Sequence, residues 1–121
     1  MTRRLVVKCT WGQDGPERCN QALTVASVAA ASGVAVSLWL TGEGAWLAVP
    51  GSAHRDLALP EATPAAELVD AVLALGTVTV CSQCAARRGI AEDDVAPGVR
   101  IAGSALFVEE SLADDARALV Y

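Results

Sequence analysis

The sequence predicts an α/β fold built on a mostly parallel sheet. Strand-length apolar runs alternate with segments of helical periodicity in the order β-α-β-α-β-α-β-α-(β), which implies a parallel sheet covered on both faces. The run Val34–Leu40 is almost continuously apolar, as suits a strand buried on both sides. The chain has 121 residues with no linker, repeat or low-complexity stretch, so residues 1–121 read as one domain. That length can bury a core without disulfides or metals.

Arg4–Cys9 is the first strand, with Leu5, Val6 and Val7 contiguous. Thr10–Glu17 is a polar, glycine-containing loop. Asp14, three residues before Glu17, has capping-box spacing, and Pro16 suits a first helical turn. The Ala-rich Arg18–Ser32 is expected as a helix capped by Gly33. Val34–Leu40 follows as the second strand. Thr41–Gly44 is a turn whose Gly42-Glu43-Gly44 needs a permissive backbone. Ala45–Val49 is expected to form one or two helical turns, and Pro50–Thr63 is irregular.

Thr63 is expected to cap a helix that Pro64 opens, with Leu68, Val69, Val72, Leu73 and Leu75 at helical spacing and Gly76 as its end. Thr77–Val80 is the third strand and leads into Cys81. Ser82–Arg88 is a short helix stopped at Gly89, and Glu92–Val95 adds a helical turn. Val99–Ala102 is the fourth strand. Ala105–Asp115 reads as a helix with Leu106, Val108 and Leu112 as its apolar positions. Ala116–Val120 is a fifth strand or a helix end.

Composition narrows the function classes. The formal net charge is −5, and the basic residues form only the short pairs Arg3–Arg4 and Arg87–Arg88, which argues against nucleic acid as the main ligand. No stretch of 18 apolar residues exists and no leader pattern precedes the first strand, so no membrane span is expected and the chain reads as cytoplasmic. In that compartment its four cysteines read as reactive thiols before structural disulfides. The apolar fraction of 53% is high for one small core, and it predicts a surface for self-association.

Functional residues of parallel sheets collect at the carboxyl ends of strands. Three features fall there: Cys9–Gly15, Thr41–Gly44 and Cys81–Cys84. The last is the strongest. Cys81 ends a strand just before a helix, where backbone amides favour a thiolate. The Cys-x-x-Cys spacing lets one thiol attack or carry sulfur while the other resolves an intermediate. Arg87 and Arg88 add positive charge in the same segment.

Cys9 and Cys19 are ten positions apart, not the short pair a four-cysteine zinc site would need, so no metal is expected. Cys9 is expected against the sheet and Cys19 against the helix layer. His54 stands alone in its loop, with a role as a nearby base as the alternative to a solvated side chain. Trp11 and Trp46 follow strands and belong near the active edge, whereas Trp39 belongs in the core. No nucleotide-binding or serine-hydrolase pattern is present, so no cofactor is expected.

Three stretches resemble the DsrE/DsrF-like family of sulfur-relay proteins: Gly12–Arg18 with the Ala-rich helix after it, Val34–Gly44, and Cys81–Gly89. Val34–Gly44 is similar to the family's strand ending in an Asp-Gly-type turn, here with Glu43. The Cys, Ala-Ala and Arg-Arg-Gly positions of Cys81–Gly89 resemble the segment around its sulfur-carrying cysteine. The resemblance implies a three-layer α/β/α sandwich on a five-stranded parallel sheet and assembly as trimers or hexamers. It places the persulfide-bearing cysteine at Cys81, with persulfide donors and acceptor proteins or small thiols as partners. Cys84 is an addition to the TusD-like pattern and leaves room for a redox dithiol. The candidate catalytic residues are therefore Cys81 and Cys84, and the candidate binding residues are Arg87, Glu43 and Trp11. The leading expectation is a sulfur carrier or sulfurtransferase. A thiol–disulfide redox protein and a non-catalytic subunit of an oligomeric sulfur-metabolism complex are the alternatives.

Overall fold

The apolar run at the start of the chain forms β1 (Arg4–Cys9), and each later strand-type run adds a strand parallel to its neighbours. The computed structural model describes residues 3–121. After β1 come α1 (Pro16–Ala31), β2 (Ala35–Leu40), α2 (Ala65–Leu75), β3 (Thr77–Cys81), α3 (Ser82–Arg87), β4 (Arg100–Ala102), α4 (Ser104–Ser111) and β5 (Ala116–Val120). Short 3-10 segments occupy Gly42–Ala48, Ala53–Arg55 and Glu92–Asp94. The sheet order is β4-β3-β2-β1-β5, so the expected five-stranded parallel α/β/α architecture is the one observed.

This order separates the helices into two layers. The steps from β1 through β4 all run one way across the sheet, and right-handed crossovers then keep their helices on one face. The return from β4 to β5 runs the other way and carries α4 to the opposite face. Strand alternation sorts the side chains accordingly. Val7, Cys9, Val36, Leu38, Leu40, Val78 and Val80 join Cys19, Leu23, Val69 and Val72 in the larger core. Val6, Trp39 and Ala116 form a smaller core beneath α4.

The helices are set by what they bury. In α1, Cys19, Ala22, Leu23, Ala26 and Ala30 make a stripe of three- and four-residue spacing. Its start differs from expectation. Asp14 forms no capping box; its carboxylate accepts from the Gly12 N–H at 2.9 Å, and Gly15 takes the cap position. In α2, Ala65, Val69 and Val72 face the core. Pro64 rather than Thr63 holds the cap position, and Leu75, on the last turn, is exposed.

The face of α4 corrects a sequence expectation. Val108 and Leu112 are exposed, and Leu106 and Phe107 pack inward. The reason lies in the sheet, whose strands present Ser37, Trp39 and Thr79 on this side. Phe107 meets the Trp39 ring edge-on at 5.5 Å. Glu110 accepts from Ser37 Oγ at 2.6 Å and from Trp39 Nε1 at 3.0 Å, and it pairs with Arg100 at 2.7 Å. Arg100 Nε in turn donates to Thr79 Oγ1 at 2.7 Å. A half-polar sheet face selects a helix face that carries a carboxylate. No helix among the described residues is long and apolar enough to cross a membrane.

The Glu110 network has a measurable signature. Burial pushes the Glu110 carboxyl up, but Ser37, Trp39 and Arg100 together hold it below the usual carboxylate range. A depressed carboxylate stabilises the fold fully above its unfolded pKa of about 4.3 and loses that contribution as pH falls through the folded value. Glu110→Ala, which strands the Arg100 and Trp39 donors, is expected to cost about 2–3 kcal/mol in urea unfolding at neutral pH. Glu110→Gln is expected to flatten the loss of stability between pH ~5 and ~2.

Candidate functional site

Three segments meet at the carboxyl edge of the sheet. After β1 the chain loops through Thr10–Gly15. After β2 it enters the 3-10 segment that begins at Gly42. After β3 it passes directly from Cys81 into α3. Thr41 ties the first two together, since its N–H donates to the Cys9 carbonyl at 2.9 Å. Thr10 ties the first to the chain's end, its N–H and hydroxyl both donating to the Tyr121 carbonyl, at 3.0 and 2.6 Å.

Two glycines make the approach possible. A Cβ on Gly12 would lie 2.6 Å from the Glu43 carbonyl oxygen, so only glycine lets the first loop lie against the second. Gly42 has φ of +56°, and a Cβ there would meet the Thr10 carbonyl at 2.8 Å. Held in this way, the Gly42 N–H donates to the Cys84 Sγ at 3.2 Å.

Cys81 and Cys84 lie together. Cys81 is the residue before the first turn of α3 and is 9% exposed, as is Cys84 one turn on. Burial pushes the Cys81 thiol up. The Cys84 N–H, the Cys84 thiol, the Gln83 N–H and the charge of Lys8 more than offset this, so its pKa falls below the ordinary thiol value. With only six residues, α3 stabilises the anion through these individual donors rather than through a long aligned dipole.

The surrounding residues divide sharply. Arg88, not Arg87, turns toward the site. Its Nε pairs with Glu43 at 2.7 Å and its NH1 donates to the Cys84 carbonyl at 3.1 Å, whereas Arg87 is exposed. Arg88 holds the Glu43 carboxyl below the usual range, with the Trp46 indole and the charge of His54 acting the same way. His54 stacks on Trp46 at 4.7 Å, and its Nδ1 lies 3.3 Å from Gln13 Oε1. It belongs to the rim beyond Glu43, and its recorded hydrogen bonds go to Gln13 and Ser52 rather than to a thiol. Trp11 is packed between the Arg18 guanidinium, 4.7 Å from its ring, and Gly15, and so shapes the first loop.

Cys9 and Cys19 form a second pair, buried beneath the loop that follows β1. Both are fully buried in the larger core, and the Cys9 thiol donates to the Trp11 carbonyl at 3.1 Å. Bonding to Cys9 and burial both push the Cys19 thiol up, so it keeps its proton. The four thiols are free, in two buried pairs with different chemistry. Sequence reasoning put Cys9 on the sheet and Cys19 on the helix layer but missed that the two meet. It also missed Lys8, whose only signal was its position one residue before the end of a strand.

Residues 4–119 match the DsrE/DsrF-like family. Among solved structures, the ychN protein from E. coli matches with a TM-score of 0.81 at 19% identity, covering 100% of both chains. A conserved protein of unknown function from Bacteroides thetaiotaomicron, BT1422, matches with a TM-score of 0.58 at 18% identity, over 98% of this chain and 94% of its own. At these identities the two structures speak for the fold alone. No functionally curated protein matches at a significant level.

Two outcomes test the geometry. Alkylation of Cys81 by neutral iodoacetamide, followed by peptide mass spectrometry across pH, should show a midpoint below the ~8.5 of an ordinary thiol. The sign follows from the depressed pKa: reactivity persists down to the folded value and is lost below it. Gly12→Ala should destabilise the chain by about 1–3 kcal/mol in urea, because a Cβ forced onto backbone must move one of the two loops.

Proposed function

The chain belongs to the DsrE/DsrF-like family of sulfur-relay proteins, and from that premise we propose that it is a sulfur carrier that accepts a sulfane sulfur on Cys81. One observation carries the reading: Cys81 ends an interior strand directly before α3, one helical turn from Cys84, where the backbone of Gln83 and Cys84, the Cys84 thiol and the charge of Lys8 lower its pKa despite burial. The Cys81 thiolate attacks the outer sulfur of a donor persulfide, R–S–SH. The donor S–S bond breaks, its electron pair leaves with R–S⁻, and Cys81–S–SH forms. Delivery is the same exchange in reverse, with an acceptor thiolate attacking the outer sulfur and Cys81 leaving as thiolate. One S–S bond is made for each one broken, so no external oxidant or reductant enters. The donor N–H groups serve both directions, since they stabilise Cys81 as nucleophile and as leaving group.

Glu43, Arg88 and Trp46 hold the Gly42 turn in place and so keep Cys84 beside Cys81. A second reading, a Cys81–Cys84 redox dithiol, draws on the Cys-x-x-Cys spacing and on the influence of the Cys84 thiol on Cys81. Self-association belongs to the proposal as well. Val108 and Leu112 on α4 and Leu119 and Val120 on the edge strand β5 are exposed apolar side chains that a trimer or hexamer would cover.

Incubation with a low-molecular-weight persulfide, followed by intact-mass and fragment-ion analysis, decides between the readings. The expected result is a one-sulfur increment located on Cys81, lost in Cys81→Ser and retained in Cys84→Ser. Normal sulfur uptake by Cys81→Ser would remove the carrier assignment. A Cys84→Ser variant that loads normally but fails to turn over would favour the dithiol. Native mass spectrometry of the same samples should show an oligomer.

A further inference from the structure

Lys8 is the only lysine of the chain, and it sits on the sheet face beneath α4. Alternation along β1 places it with Val6, on the opposite side from Val7 and Cys9. Its Nζ lies 4.2 Å from the centroid of the Phe107 ring, and the side chain is half-buried. Among the described residues no carboxylate comes within salt-bridge distance of it, whereas four arginines are paired: Arg4 with Asp115, Arg55 with Asp70, Arg88 with Glu43 and Arg100 with Glu110. Lys8 is thus a half-buried cation that rests on an aromatic face and has no carboxylate partner among the described residues, so its charge remains free to attract an anion.

The sheet register relates Lys8 to the thiol pair. Lys8 pairs with Trp39, and Trp39 with Thr79 on the next strand. Cys81 is two residues further along β3, at its carboxyl end. With strands about 4.8 Å apart and about 3.3 Å of rise per residue, the two Cα atoms are roughly 12 Å apart. Lys8 also acts on the Cys81 thiol as a favourable charge.

We propose that Lys8 forms an anion subsite in front of Cys81, which binds small anionic sulfur species and holds the terminal sulfur of the Cys81 persulfide. The identity of the occupant rests on the carrier reading; the subsite itself does not. The chemistry supplies the reason. The Gln83 and Cys84 backbone favours charge on Sγ, but in a persulfide anion the charge resides mainly one S–S bond further out, about 2 Å away. Donors fixed on Sγ lose that charge, and a cation on the far side of the sulfur keeps it. The same cation offsets the repulsion between the Cys81 thiolate and an incoming donor that is itself negative. The flexible stem of a lysine lets the ammonium follow the charge as it moves outward.

The test compares two alkylating probes of similar size, anionic iodoacetate and neutral iodoacetamide, reading modification of Cys81 by fragment-ion mass spectrometry. Both need the same thiolate, so their rate ratio cancels any change in thiolate fraction and isolates attraction for the anion. The iodoacetate-to-iodoacetamide ratio is expected to fall about threefold in Lys8→Met and to be retained in Lys8→Arg. In the wild-type chain it should fall as salt is raised. Should Lys8→Met fold poorly, acetylation of the folded wild-type chain, which neutralises the ammonium, should lower the ratio as well. Reductive methylation, which keeps the charge, should not, and Lys8→Met treated likewise reports the contribution of the amino terminus. An unchanged ratio in both the variant and the acetylated chain, or a Cys81 that reacts with neither probe, overturns the subsite. No sulfur donor is used, so this result is independent of whether Cys81 takes up sulfur.

Discussion

Everything at the carboxyl edge of the sheet depends on the backbone of Gly12 lying against the carbonyl of Glu43. No side chain can enter that space, because a Cβ would stand 2.6 Å from the oxygen. The contact brings the loop after β1 onto the turn after β2, and three consequences follow in order. Gly42 is held in its left-handed conformation with its N–H on Cys84. Glu43 is carried to Arg88, whose other bond closes onto the Cys84 carbonyl. Trp46 and His54 are stacked on the outer side of the same turn. The thiol pair is therefore positioned from outside α3 as much as by α3 itself, a helix of six residues that could not fix two sulfurs alone.

Much of the fold was legible because strand and helix patterns survive translation into burial. The run Val34–Leu40 reads as a strand and five of the six residues of β2 are buried. Where reading went astray, the partner surface decided the matter. Val108 and Leu112 look like the apolar side of α4, but the sheet beneath offers Ser37, Trp39 and Thr79, and Glu110 with Phe107 satisfies it better. Apolar periodicity cannot reveal a face chosen by hydrogen bonds. The site divides in the same way. Cys81 and Cys84 were legible from spacing at a strand end. The choice of Arg88 over Arg87 was not, since one residue on a helix is a rotation of about 100° and nothing local says which faces the site. The meeting of Cys9 with Cys19 depends on how α1 crosses β1, which no local pattern records.

The two cysteine pairs show how placement rather than identity sets thiol chemistry. Cys9 and Cys19 have no exposure and their polar neighbours favour the protonated Cys19. Cys81 and Cys84 sit where three loops leave a partial opening and where backbone N–H groups converge. Desolvation opposes the anion in both cases, and donors outweigh it at Cys9 as well as at Cys81, so what separates the pairs is access: Cys9 and Cys19 have no exposure at all.

The same hydrogen bonds bear on the two chemical readings of Cys84. Its sulfur accepts from the Gly42 N–H, and its thiol favours the Cys81 thiolate. Bridging Cys84 to Cys81 would remove the thiol proton that stabilises the Cys81 anion and draw its sulfur away from Gly42. The half-buried N–H left behind costs on the order of 1–3 kcal/mol, and it belongs to a turn already pinned by the Gly12 contact and the Arg88 ion pair. That penalty falls on the oxidised state alone and raises the reduction potential of the pair. In the proposed carrier reading, loading sulfur onto Cys81 needs no Cys81–Cys84 bond, so Cys84 keeps its Gly42 partner. Under the proposed carrier reading, this geometry gives the second thiol of the Cys-x-x-Cys motif a supporting role, in which Cys84 favours the Cys81 thiolate.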